Sequence, residues 1–213
     1  MLAGVHSKPG RKYNGVLSVD GETLRFTPPK VTQYAHEISF AISHVEAGFV
    51  LQENGAGGSW TLHFHLDADV EIGKLRTTEV QFCLVMNKSP AKNKETKQQI
   101  QSFMTEVEEC LQKVHGNDSF RIREVTATKI RGIQGTAHTE LHKTHDYLLC
   151  IREKPFFVYK YQDINSIILE RLTNYSPYCD VSILPKNLKT HHVITSVPKS
   201  EACEFVQWAR YAK

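Results

Sequence analysis

The sequence predicts a mainly β protein: two small barrels in tandem, each of about seven strands capped by one C-terminal helix. Two observations carry this. Short runs rich in β-branched and aromatic residues, punctuated by Gly, Pro and Asn, come in two successive series. Each series ends in one stretch with apolar residues at the helical period. A single α+β domain with an interior helix is the competing architecture, and 213 residues accommodate either.

In the first series, Tyr13–Val19 and Glu22–Thr27 are joined by Asp20-Gly21, a hairpin turn signal. His36–Ser43, Val45–Gln52, Ser59–Asp67 and Glu79–Asn87 follow, separated by Pro28-Pro29, Asn54–Gly58 and a loop expected at Ala68–Thr78. Ile100, Phe103, Met104, Val107, Leu111 and Val114 then form one apolar stripe of a helix, with Ser89-Pro90 near its start and Gly116 at its stop. The second series is Phe120–Ile130, Gly135–Leu141, Tyr147–Arg152, Phe156–Tyr161, Ile164–Glu170, Tyr178–Leu184 and His191–Ser196. It closes with a helix over Pro198–Tyr211, with Ser196 as cap and Ala202, Phe205, Val206 and Trp208 on its apolar side. An amphipathic helix laid across an open barrel end buries what the strands leave exposed, so Trp208 is expected to plug that end. The expected domains are 1–116 and 117–213.

Composition narrows the function. Lys and Arg number 26 against 23 Asp and Glu, so the net charge of +3 announces neither a nucleic-acid nor a membrane binder by itself. Cys83, Cys110, Cys150, Cys179 and Cys203 are odd in number, widely spaced and free of CxxC pairs, which fits a reducing compartment and argues against structural zinc. Met1–Gly10 lacks the apolar run of a signal peptide, and no stretch approaches a membrane span, so the chain reads as intracellular. Gly-rich phosphate loops, GxSxG and catalytic Cys motifs are absent, so neither an enzyme nor a cofactor is expected. His63, His65, Asp67 and Asp69 alternate as metal ligands or an acid/base set would. The ordinary explanation is a solvated strand face, and no metal site is expected. His138, His142 and His145 form a second polar cluster with no nucleophile beside them.

Pro155-Phe156-Phe157-Val158-Tyr159-Lys160-Tyr161-Gln162-Asp163-Ile164 resembles a segment in the second pleckstrin-homology domain of FACT-type histone chaperone subunits, a strand followed by an aromatic-x-acidic-Ile turn. Tyr178-Cys179-Asp180-Val181-Ser182-Ile183 is similar to the strand that follows it there, and Trp60–Leu66, the Gly73 loop and Val80–Val85 resemble the corresponding first-domain pieces. The pattern also resembles the fungal chaperone of newly made core histones. The resemblance implies two pleckstrin-homology-like barrels that bind core histones in the nucleus, with DNA as a candidate second ligand and other chaperone-complex subunits as partners. The implied setting is nucleosome assembly and reorganisation during transcription, DNA replication and DNA repair. An acidic tail and a DNA-binding box are missing from the sequence, so it reads as a middle fragment of a longer subunit or a free-standing relative.

Local charge then supplies candidates. Arg121 and Arg123 alternate with Phe120 and Ile122, and together with Lys129, Arg131, Lys186 and Lys189 they are the expected DNA-binding residues. Lys8, Arg11 and Lys12, with Lys88, Lys92, Lys94 and Lys97 at the first helix, are further basic clusters, for which a solvated flexible face is the more ordinary explanation. Asp67, Asp69, Glu71, Glu106 and Glu109, with Glu108, are the expected histone-binding residues. Two readings from other classes stay open: a phosphoinositide-binding membrane module, which the tight Asp20-Gly21 turn disfavours in the first barrel, and a peptide-docking scaffold in transcription or DNA repair.

Overall fold

A computed structural model of the chain describes residues 2–8, 11–32, 35–52, 59–84, 90–117, 120–125, 129–187 and 190–211. The chain forms two compact units that part at Glu124 and Val125. The first holds strands β1 (Leu2–Lys8), β2 (Arg11–Asp20), β3 (Thr23–Thr27), β4 (Ile38–Ala41), β5 (Val45–Gln52), β6 (Trp60–Ile72) and β7 (Leu75–Leu84), then helix α1 (Pro90–His115) and strand β8 (Ile122–Glu124). The second holds β9 (Lys129–Gln134), β10 (Ala137–Lys143), β11 (Tyr147–Cys150), β12 (Phe157–Lys160), β13 (Ile164–Glu170), β14 (Tyr178–Pro185) and β15 (His192–Pro198), then α2 (Lys199–Tyr211).

The strand order is β4-β3-β2-β1-β7-β6-β5-β8 in the first unit and β12-β11-β10-β9-β15-β14-β13 in the second. Four strands in meander, a 3-10 turn, three strands in meander and a helix thus occur twice in the same order. In each unit the first strand pairs with the seventh: Ala3 with Leu84 in one, Ile133 with Thr195 in the other. This is the tandem mainly β architecture, with one helix closing each unit, that the sequence predicts. The helix stripe is buried as its period requires, with Ile100 1%, Phe103 6%, and Val107 and Leu111 0% exposed in the core of the first unit. Ala202 and Phe205, 0% and 3% exposed, do the same in the second. The side chain of Trp208 lies outside the described residues.

Several local expectations change. β1 precedes the expected first hairpin, so Lys8 ends a strand, and Arg11 and Lys12 open the next. The loop expected at 68–78 is a hairpin: β6 runs to Ile72 and β7 begins at Leu75, turning through Gly73 at φ +65°. Val70 and Ile72 pack against the core, which draws the chain into strand form beyond Asp67. The run expected as one strand over Phe120–Ile130 is two strands in different units. β8 pairs in parallel with β5, Gly48 opposite Ile122, so residues 120–124 belong with the first unit, whereas a boundary at 116/117 is what the sequence suggests. Ser196 caps no helix; it lies within β15 at φ +57°, and α2 starts at Lys199.

Candidate functional site

Strand periodicity and the core-facing Val70 and Ile72 leave Asp67, Asp69 and Glu71 exposed along the far end of β6. The three carboxylates stay together, but two of them are occupied. His44 Nδ1 meets Asp67 Oδ1 at 2.8 Å. Arg76 donates to Glu71 Oε1 through Nε at 2.9 Å and Nη2 at 2.7 Å. Glu106 and Glu109, three residues apart on α1, are both exposed, on the side of the helix away from Val107. Glu108 has another task, its Oε1 accepting the backbone N–H of Ile122 at 2.7 Å and tying α1 to β8.

The basic candidates are divided between the units. Arg121, whose Nη1 donates to the Phe120 carbonyl at 2.8 Å, and Arg123 flank Ile122 in the first unit. Lys129 and Arg131 lie on β9 of the second, and both turn toward Glu140 on the neighbouring strand β10. Lys129 Nζ reaches Glu140 Oε1 at 2.7 Å, Arg131 Nε stands 3.7 Å from the same oxygen, and Arg152 Nη1 donates to Oε2 at 2.8 Å. Burial raises the proton affinity of Glu140, yet the hydrogen bonds from Lys129 and Arg152 outweigh it and hold the carboxyl below its usual range. Lys186 is exposed in the turn after β14, and Lys189 lies outside the described residues. Among the helix lysines, Lys97 is exposed, whereas the side chains of Lys92 and Lys94 and all of Lys88 lie outside the described residues. The β9–β10 hairpin is tight, Gln134 pairing with Ala137 across two residues, so the second unit also lacks a roomy first loop for a lipid headgroup.

Two features escaped sequence reading. His63, expected on a solvated face, is fully buried. His63 Nε2 and His65 Nδ1 each lie 2.7 Å from an oxygen of Glu79, and the far side of His65 stands 3.5 Å from Glu46. Burial pushes the Glu79 carboxyl up, but the two imidazole hydrogen bonds and their charge override it and set it at about 2. This is a structural clamp between β6 and β7. Among the described residues no group of three His, Cys, Asp or Glu is arranged to hold a metal ion. The second feature is Arg152 at the Glu140 centre, which brings three cations around one carboxylate. His142, 1% exposed, also stands 3.5 Å from Glu140, while His138 is exposed and His145 pairs with Asp146 at 2.6 Å, so the three histidines form no common cluster.

The comparison with protein families follows the division into units. Residues 2–122 match the model of the FACT complex subunit SPT16 PH-like domain. The chain belongs to that family. Residues 130–213 match a second model, the histone chaperone Rttp106-like middle domain. The matched stretches leave out 123–129, the interval in which the two compact units part. Both models describe histone-chaperone proteins, so a chaperone role is common to the two halves. No individual curated protein matches the chain.

Proposed function

We propose that the chain is a histone-binding module that acts in nucleosome assembly and reorganisation, and that it works by binding rather than by catalysis. The observation that carries this is that each unit independently matches a histone-chaperone family. The charge layout supports it. The carboxylates of Asp67, Asp69 and Glu71 at the β6 end, with Glu106 and Glu109 on α1, offer basic histone surface an exposed acidic partner within one unit. Arg121, Arg123, Lys129, Arg131, Lys186 and Lys189 supply phosphate contacts to DNA, with Arg152 added at the Glu140 centre. Core histones, DNA and other chaperone-complex subunits are the partners of this reading, and the nucleus is its location.

Two titrations test it, one with labelled core-histone complex and one with labelled DNA duplex, each at two salt concentrations. Saturable histone binding, and duplex binding whose strength falls with salt, support the proposal. Absence of histone binding sinks it.

A further inference from the structure

The two units repeat the same order of strands, and the repeat extends to local detail. A 3-10 turn precedes β5 at Ile42–His44 and β13 at Tyr161–Asp163, and in each the residue after the turn returns its N–H to the first turn carbonyl. Both strands then bulge at their second residue, since the register shifts between Val45 and Ala47 in one and between Ile164 and Ser166 in the other. Counting from the turns, Gly48, Phe49 and Val50 of β5 correspond to Ile167, Ile168 and Leu169 of β13. Those β5 positions are the three that pair with β8. There the added strand joins the core: Ile122 is 7% exposed, and its Cγ1 lies 3.2 Å from where a Cβ on Gly48 would stand. Gly48, Phe49 and Val50 are all buried.

The matching edge in the second unit, over Ile167–Leu169, is apolar and carries no further strand among the described residues. Among the described residues β13 pairs only with β14. Ile168 is 44% exposed where Phe49 is 0%, and Ile167 and Leu169 are only partly buried against the core. An exposed strand edge with apolar side chains is a template for another strand, and natural edges are usually guarded by Lys, Pro or a cover. β13, Ile164-Asn165-Ser166-Ile167-Ile168-Leu169-Glu170, carries no cation and no proline. Asp163 and Glu170, exposed at its two ends, are its only carboxylates nearby in sequence.

We propose that the β13 edge is a strand-acceptor site that binds an extended polypeptide segment alternating basic and apolar residues, as β8 with Arg121-Ile122-Arg123 occupies the matching edge of the first unit. Main-chain hydrogen bonds supply the affinity, an apolar residue on the core side covers Ile167 as Ile122 covers Gly48, and the flanking residues, on the face of Ile168, carry the basic groups that meet Asp163 and Glu170. This rests on the reading that the chain takes histone polypeptide, whose basic segments have the required chemistry.

The probe is a labelled synthetic peptide alternating Arg with Ile and Val, titrated by fluorescence anisotropy into the full 213-residue chain. Hydrogen exchange of residues 163–170 is followed in parallel, and repeated with core-histone complex. The peptide is expected to bind saturably and to slow exchange at 166–170. An analogue N-methylated on every amide, which can donate no ladder hydrogen bond from either edge, should lose this. Ile168→Lys, a surface change that guards the edge, should weaken binding roughly tenfold, and Ile168→Thr, which retains β-branching and charge, should weaken it less. Equal binding of the N-methylated analogue, protection confined to other segments, or self-association through β13 in sedimentation would each overturn the site. If core histones bind while exchange at 166–170 is unchanged, the edge proposal fails and the chaperone function stands. If the peptide protects β13 but core histones do not bind, the edge site stands and the chaperone function fails.

Discussion

Glu79→Gln is expected to remove a large acid-sensitive contribution to the stability of the first unit. The carboxylate bridges β6 and β7 by accepting from His63 and His65 at 2.7 Å each, with its own side chain 11% exposed. Its pKa falls from 4.5 to about 2 on folding, despite burial that works the other way. A folded-state value below the unfolded one means that the ionised group stabilises the fold above pH 4.5 and that this contribution disappears as pH falls toward 2. The difference corresponds to about 3 kcal/mol at neutral pH. Urea denaturation of wild type and Glu79→Gln at a series of pH values from 7 down to about 2 reads it directly. Wild type should lose stability across this range by about that amount more than the variant does, and the two should converge at the acid end. Parallel curves for the two proteins would refute the clamp.

Three further outcomes follow from the packing and charge. Phe205→Ala, at a side chain 3% exposed on the apolar face of α2, should cost about 3–5 kcal/mol, seen as a lower denaturation midpoint of the second unit. Glu140→Gln removes the negative charge that Lys129, Arg131 and Arg152 surround, so duplex affinity should rise and its salt dependence steepen; unchanged duplex binding would exclude this centre as a phosphate contact. Reversing Arg121, Arg123, Arg131, Lys186 and Lys189 to Glu should weaken duplex binding uniformly across sequences while histone binding survives, as paired titrations would show.

Much of the fold was legible because it depends on periodicity. The α1 stripe from Ile100 to Leu111 and the Asp20-Gly21 turn announce themselves locally, and the structure buries and bends the chain there as expected. What could not be read depends on register. His63 and His65 alternate as surface residues would, and only the pairing of His65 with Glu79, and of His63 with Gln81, brings both imidazoles to one carboxylate. Arg152 follows β11 and meets Glu140 through the antiparallel pairing of β10 with β11, a long-range contact no spacing encodes. Arg-Ile-Arg alternation suits any strand and so does not separate β8 from β9, whereas the choice of β5 as partner comes from the Ile122 fit over Gly48 and the Glu108 hydrogen bond. The charged candidates were visible as residue types, but not their internal partners: Lys129 and Glu71 each carry an ion pair that any ligand would have to compete with.

The most direct test of the chaperone account is a titration of labelled core-histone complex with the wild-type chain and with a variant in which Asp67, Asp69, Glu71, Glu106 and Glu109 are replaced by Lys. All five side chains are exposed, so the variant should fold, which a matching far-ultraviolet spectrum and denaturation midpoint would establish. Wild type is predicted to bind saturably, and the variant to bind at least roughly tenfold more weakly with a reduced salt dependence. No saturable binding of core histones by the folded wild-type chain would contradict the account.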